Sequence, residues 1–281
     1  MKRALMIQND VAQIGTIEDL TSVFEGIASL RIAKIKDKVV LAKSFFGELW
    51  QIYTQLRVDP IERLSIVGAG TTKNKNVFVA VTSEGSLSGD IDAKIIERVK
   101  ADFHSGQTDV IVLGSHGATL LQEAKIPFLK GYRLPDADVA PDVRGIIAEL
   151  RSYKNASVYY QTYVSLGVQE AAKIDLISAV KAFGVDSAKS TELISSRDYI
   201  FEPSVAEIVT YMEAVVLEVT LGQAILESRL AQYASRFTAM TLAKQRAKEL
   251  GGDLLLDYRR AKRAESDERL KEVMTSLELL T

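Results

Sequence analysis

The chain has 281 residues, 47% of them hydrophobic, which supplies a core for one large domain or two smaller ones and excludes full disorder. Lys and Arg number 35 against 37 Asp and Glu, so a net charge of −2 gives no global field that would recruit nucleic acid or an acidic membrane. The sequence contains no cysteine, which excludes disulfides, thiolate metal sites and a cysteine nucleophile.

The amino-terminal sequence does not resemble a targeting segment. Two basic residues begin MKRALMIQNDVAQIG, but no uninterrupted apolar core or small-residue cleavage site follows them. The chain also has no run of about 18 apolar residues, which a bilayer-spanning helix requires. These features predict a bacterial cytosolic setting.

The two ends of the chain are predicted to be long helices, because all five prolines lie between residues 60 and 203. Apolar residues recur at helical spacing in both end segments. The amino-terminal stripe comprises Ile7, Val11, Ile14, Ile17, Leu20, Phe24 and Ile27. The carboxy-terminal stripe includes Val216, Val219, Leu226, Leu230, Tyr233, Phe237, Met240, Leu254 and Tyr258.

Helices over residues 1–59 and 204–281 would be roughly 85 and 115 Å long, at 1.5 Å per residue. Such lengths do not fit inside a compact globule of this size. The simplest architecture is a long antiparallel two-helix coiled coil with a Rossmann-like α/β domain inserted at residues 60–203.

The central segment shows an alternation of strands and helices. Short β-branched runs predict strands, and the helical patterns between them predict crossovers. Strands are predicted at residues 77–83, 109–115, 156–166 and 190–201, helices at 90–103, 118–125 and 143–153, and a loop at 68–76.

Two turns in this domain resemble ligand-binding loops. SEGSLSG (83–89) and GSHGA (114–118) each follow a strand, where small residues let backbone amides approach an anion. Neither matches a dinucleotide or P-loop motif, and His104 and His116 are the only histidines, so no metal, cofactor or catalytic residue is predicted. A small-molecule or nucleotide-binding enzyme with its site at Ser83–Gly89 and Gly114–Gly117 remains an alternative.

The stretch YRRAKRAESDERL (258–270) concentrates basic charge near the carboxyl end. Arg259, Lys262 and Arg263 are spaced to share one side of a helix, with Arg260 beside them. Interleaved acidic residues argue against nucleic-acid binding, which favours an uncompensated basic face. A solvated helix face is the default interpretation of such a run.

Several motifs occur in the order found in a known family. Tyr199-Ile200-Phe201-Glu202-Pro203 is similar to a YxYEP element, residues 227–243 (ESRLAQYASRFTAMTLA) to an ExxASExxARMxAMxxA segment, and residues 243–270 to the segment that follows it. TSEGSLSGD (82–90) and GSHG (114–117) are similar to TSDRGLCGG and GxKG turns. The chain resembles the gamma subunit of the F-type ATP synthase, the central rotor shaft.

The resemblance implies a non-catalytic subunit that couples ion flow to ATP synthesis or hydrolysis. Its implied partners are three alpha and three beta subunits, the epsilon subunit and the membrane c-ring, at the cytoplasmic face of the bacterial cell membrane, where the chain would be peripheral. It implies no cofactor and no nucleic acid. By position, the residues that would contact beta are Arg259, Arg260, Lys262, Arg263 and Arg269, and those that would contact the membrane ring or epsilon are Tyr199 and Glu202.

The chain departs from the family pattern at its amino end. The family helix is rich in lysine, whereas here Glu18, Asp19 and Glu25 are acidic. The charge contacts expected there are therefore rearranged. A scaffold that uses the same coiled coil without rotation is the other alternative.

Overall fold

A computed structural model describes residues 2–55, 73–85, 87–134, 142–176, 202 and 204–278. The first and last elements along the chain are two long helices, α1 (Lys2–Gln55) and α5 (Val205–Glu278). The other described elements lie between them in the sequence. The described residues divide into two compact units. We call residues 1–28 with 236–281 the helical unit, and residues 29–235 the domain unit.

The helical unit is an antiparallel pair formed by the start of α1 and the end of α5. Glu25 meets Thr241 and Lys244 of α5, and Ile14 lies against Gly251, so the partners run in opposite directions. Buried and half-buried positions follow alternating steps of three and four on both helices, as a coiled-coil seam requires. The α1 seam is Ala4, Ile7, Val11, Ile14, Glu18, Thr21, Glu25 and Ala28, and the α5 seam is Met240, Lys244, Ala247, Gly251, Leu254, Tyr258, Ala261 and Glu265.

The predicted α1 stripe is wrong beyond Ile14. Ile17, Leu20 and Ile27 have 45%, 52% and 46% of their surface exposed, whereas Thr21 and Ala28 are buried. The strict 3–4 alternation that keeps two helices in contact continues through Glu18, Thr21 and Glu25, and it carries these apolar residues to the outside.

The domain unit contains a five-stranded sheet in the order β3-β2-β1-β4-β5. The first four positions are parallel and have the order typical of half a Rossmann fold, and β5 is an antiparallel edge strand. The strands are β1 (Lys73–Val81), β2 (Thr108–Leu113), β3 (Lys130–Tyr132), β4 (Tyr153–Tyr163) and β5 (Gln169–Asp175).

Helices cover both faces of this sheet, as buried parallel strands require. The helices are α2 (Ile91–Asp102), α3 (Ser115–Glu123) and α4 (Arg144–Leu150). Phe78 and Ala80 of β1 belong to a core that includes residues of α2 and α3, whereas Val79 and Val81 belong to a second core that includes residues of α4 and α5. From α5, Leu221, Ala224 and Ile225 enter this second core.

The predicted fold class is confirmed, with local corrections. Lys73–Asn76, predicted as part of a loop, begins β1, and Tyr153, predicted as helical, begins β4. Strands β3 and β5 were not predicted. The predicted strand at 190–201 and the predicted domain boundaries near residues 59 and 203 lie outside the described residues, so they stay predictions.

Candidate partner-binding surface

The basic stretch of α5 lies in the helical unit with one side toward α1. Tyr258, Ala261 and Glu265 are half-buried in the seam, whereas Arg259 and Arg263 are exposed on the opposite side, one helical turn apart. The sequence pattern alone therefore placed these cations correctly on a helix surface.

The five cations predicted to contact beta fall into two groups. Arg260 pairs with Asp257 at 3.3 Å and Arg269 with Glu265 at 3.8 Å, both within α5. Lys262 Nζ lies 5.8 Å from the centroid of the Tyr258 ring, near the outer limit of a cation–π contact. Among the described residues, no carboxylate pairs with Arg259 or Arg263. Two of the five are thus locally neutralised and three keep their charge available.

A shallow groove of about 430 Å³ lies beside this stretch, between the two helices of the helical unit. Its lining combines apolar groups with basic, acidic, amide and hydroxyl groups, so it suits a mixed polar and apolar side chain from a partner. The lining residues are Ala4, Leu5, Gln8, Tyr258, Lys262, Glu265, Ser266 and Arg269.

Exposed apolar side chains recur along both helices of the helical unit. Leu20 and Val23 on α1 are 52% and 58% exposed, and Leu270 and Met274 on α5 are 60% and 63% exposed. Further exposed apolar residues are Leu5, Met6, Ile17, Ile27, Leu242, Leu250, Leu256 and Val273. Extended apolar surface of this kind marks a site of contact with another protein.

Of Tyr199 and Glu202, the two residues predicted to contact the membrane ring or epsilon, the structure describes only Glu202. Tyr199 lies outside the described residues. Glu202 is exposed, and Ser204 just after it caps α5 by accepting a hydrogen bond from the Glu207 amide at 3.2 Å.

The carboxyl ends of the domain strands, the alternative site, are filled by a buried polar cluster. Asp92, at the start of α2, is 0% exposed and accepts hydrogen bonds from the Ser83 amide and hydroxyl. Nδ1 of His116 lies 2.8 Å from its Oδ2, and Gln161 Nε2 donates to its Oδ1 at 2.8 Å. The Asp92 carboxylate is therefore held by Ser83, His116 and Gln161 of the chain itself.

Helix α5 closes the same cluster. The Ser228 hydroxyl donates to Gln161 Oε1, and Gln232 Nε2 lies 3.3 Å from that oxygen. At the neighbouring strand end, Gly117 packs tightly, since a Cβ there would overlap the Thr82 side chain. The switch point of the strand order, where Rossmann-type domains bind ligands, is occupied by the protein itself.

Sequence reasoning missed this cluster. One signal was available: Ser228, Gln232 and Ser235 continue the stripe of Leu221 and Ile225 along α5 at helical spacing. In the described part of the chain, no group of three or more His, Asp or Glu side chains could hold a metal ion. No helix of that part is long and apolar enough to cross a membrane.

The fold and surface together define a class, a protein with an antiparallel pair of long helices that exposes apolar side chains, together with a Rossmann-like α/β domain. A family model described as ATP synthase matches residues 4–280. The chain belongs to this family and, within it, to the gamma chains of F-type ATP synthases.

Individual relatives agree with this assignment. The chain is 25% identical to the ATP synthase gamma chain of Flavobacterium johnsoniae over 98% of this chain and 97% of the relative, and 23% identical to that of Mesoplasma florum over 98% of each. Among solved structures, it is similar in fold to a chain of the Euglena gracilis mitochondrial ATP synthase, with a TM-score of 0.67 and 12% sequence identity. That similarity covers 98% of this chain and 94% of the Euglena chain. It is also similar to a chain of the Tetrahymena thermophila mitochondrial ATP synthase central stalk and c-ring, with a TM-score of 0.60 and 15% sequence identity. That similarity covers 80% of this chain and 99% of the Tetrahymena chain.

Proposed function

We propose that this chain is the rotating central stalk of an F-type ATP synthase, which couples ion flow through the membrane ring to conformational cycling of the catalytic beta subunits. The observation that carries the proposal is the apolar outer surface of the helical unit, where residues such as Leu20 and Leu270 are more than half exposed. A ring of alpha and beta subunits around this unit, three of each, would cover that surface.

The mechanism requires a shaft whose sides differ. On α1 the outer surface combines apolar side chains with Asp10 and Asp19, whereas on α5 it carries Arg259 and Arg263. A given orientation therefore presents different chemistry to each beta subunit. It shifts a beta subunit between conformations only by the difference in its interaction free energy with the two.

Within the basic stretch, we assign the contact with an acidic loop of beta to Arg259, Lys262 and Arg263. These cations are exposed and are not held by carboxylates of their own helix. Arg260 and Arg269 contribute less, because each is already paired within α5 and has less charge to offer a partner. Charge complementarity at such a contact fixes orientation more than it adds affinity.

The chain contributes no catalytic group in this proposal. Nucleotide chemistry belongs to beta, and the Asp92 carboxylate of the domain unit is held inside the fold by Ser83, His116 and Gln161. Glu202 and Tyr199 would contact the membrane ring or epsilon at the foot of the shaft. The chain would then lie peripherally at the cytoplasmic face of the bacterial cell membrane, in the F1 sector.

The proposal is tested by co-purification. A tagged version of the chain, expressed in its own cells, should bring down alpha and beta subunits together with ATP hydrolysis. Recovery of the tagged chain without alpha and beta would contradict the proposal. Specific nucleotide binding by the isolated chain would favour the enzyme alternative, which the filled crevice does not support.

The assignment of the basic contact has its own test. Replacing Lys262 and Arg263 together by Ala should lower ATP turnover of the purified complex roughly tenfold with little effect on subunit content, since a contact that orients beta is lost. The control replaces Arg246 and Lys248, exposed cations about four turns earlier on α5, by Ala. Turnover equal to that of the control would refute the assignment.

A further inference from the structure

The side of α5 that packs on the domain changes character along its length. Leu221, Ala224 and Ile225 enter an apolar core with strand residues. One to three turns later the same side presents Ser228, Gln232 and Ser235, all buried and all hydrogen-bonded. The Ser235 hydroxyl donates to the Ser88 carbonyl oxygen at 2.6 Å.

Gln161 of β4 is the link between this polar side and the strand ends. It is 0% exposed, and both ends of its amide are used. Its oxygen accepts from Ser228 and lies 3.3 Å from Gln232 Nε2, while its nitrogen donates to Asp92. Asp92 in turn joins Ser83, which follows β1, and His116, which follows β2. A continuous set of hydrogen bonds therefore runs from α5 to the ends of three strands.

Apolar and polar contacts resist motion of a helix differently. Apolar packing is non-directional, so a helix can slide or turn by a small amount and recover most of its contacts. Hydrogen bonds depend steeply on distance and angle. If α5 turned about its axis, Ser228 and Gln232 would move away from Gln161, and these buried polar groups would lose their partners.

We propose that Gln161, with Ser228 and Gln232, forms a lock that transmits torque from the α/β domain to α5. The inference rests on the proposed rotary function, which requires the domain and the shaft helix to turn together under load. Gln161 is a positioning residue here, and it acts on catalysis only through the angle at which α5 is held.

The test uses the whole ATP synthase containing this chain, purified and reconstituted in liposomes. ATP hydrolysis and the membrane potential it generates, followed with a voltage-sensitive dye, give a transport-to-hydrolysis ratio whatever the coupling ion. The ratio is measured at low and at high opposing potential.

Two variants weaken the proposed lock. Gln161→Leu removes the amide that links α5 to Asp92. Ser228→Ala removes a single oxygen atom and, with it, one hydrogen bond to Gln161. Ser228→Thr keeps the hydroxyl. Thr220→Val is the control, because the buried Thr220 hydroxyl donates to the Val216 carbonyl oxygen of the same helix.

At low opposing potential, we expect Gln161→Leu and Ser228→Ala to have the same transport-to-hydrolysis ratio as the wild type. At high opposing potential their ratio should be about two- to fivefold lower, because each has lost one or more hydrogen bonds of the lock. Thr220→Val should match the wild type at both, and Ser228→Thr should retain more of the ratio than Ser228→Ala. A wild-type ratio at high potential in both locking variants would overturn the lock, as would an equal loss at every potential. A wild-type complex whose hydrolysis generates no potential would instead overturn the rotary function itself.

Discussion

The helical unit and the domain unit differ in how they bury apolar and polar side chains. In the domain unit, Val79, Ile95 and Val112 are fully or almost fully buried, and a polar cluster around Asp92 is enclosed and satisfied. In the helical unit, the seam contains Glu18, Thr21 and Glu25, while Leu20 and Val23 are exposed. The domain unit also exposes apolar side chains, such as Leu41 and Val164 at 71% and 58%, but it encloses two cores between its sheet and helices. The described part of the helical unit buries side chains only along the seam between its two helices.

The largest effect should come from disturbing the strand ends of the domain unit. Gly114 has a φ of +100°, and a Cβ there would overlap the Thr82 carbonyl oxygen, so Gly114→Ala should lower the free energy of unfolding by about 3 kcal/mol or more. Chemical denaturation of the isolated chain measures this loss.

Gly106→Ala provides a matched control for that variant. Gly106 also has a positive φ, +83°, but open space where a Cβ would lie, so only backbone strain of about 1 kcal/mol is expected. Equal losses for the two variants would mean that the strand ends are not tightly packed.

Polar substitution on the outside of the helical unit should act on assembly and not on folding. Leu20→Gln with Val23→Gln should leave the melting temperature of the isolated chain within about 2 °C, because exposed residues contribute little to its core. The same change should weaken assembly with alpha and beta by roughly tenfold or more, because apolar contact area is lost. A titration of alpha and beta subunits with the variant chain measures this effect, and unchanged assembly would contradict the partner-binding role of this surface.

The ion pair in the helical seam gives a smaller, pH-dependent effect. Hydrogen bonds from Thr241 at 2.7 Å and from Lys244 at 3.0 Å lower the pKa of Glu25 below its ordinary value of 4.5. Its stabilising contribution is therefore fully present above about pH 4.5 and is lost as the pH falls through the lowered pKa.

Glu25→Gln should accordingly cost about 0.5–1 kcal/mol near pH 7 and progressively less in acid. Thermal melts of both chains over this pH range check the sign. A constant difference at all pH values would show that the carboxylate charge is not involved.

The smallest effect concerns two neighbouring glycines of α5. Gly252 faces open space, so Gly252→Ala should stabilise the chain by about 0.5–1 kcal/mol through helix propensity. Gly251→Ala should gain less, because its Cβ would lie 3.3 Å from Cγ2 of Ile14 in the seam. Denaturation of both variants measures the difference, and an equal gain would mean that the helices pack less closely here.

The sequence predicted those features that depend on local pattern. Apolar β-branched runs located β1, β2 and β4, and the absence of proline located both long helices. Strand β3 has only three residues, and β5 contains Ala171 and Ala172 with little β-propensity, so both depend on pairing with neighbours that the sequence pattern does not reveal.

The candidate site was predictable only in part. Arg259, Lys262 and Arg263 could be placed on a helix surface. Which cations of the stretch form ion pairs depends on the rotamers of Asp257 and Glu265, which the sequence does not give. The outward position of Ile17 and Leu20 could not be expected from periodicity, since hydrophobicity indicates burial without saying whether the cover is the same chain or a partner. The Asp92–Gln161 cluster joins distant segments and is visible only in the fold.

Direct observation of rotation tests the central claim most closely. Because the chain has no cysteine, Lys100→Cys on the exposed side of α2 provides a single labelling site for a bead or gold particle. In a complex immobilised through beta, ATP should drive unidirectional rotation of the label, with one pause for each catalytic beta subunit per turn. A label that stays still while the same complexes hydrolyse ATP would contradict the account.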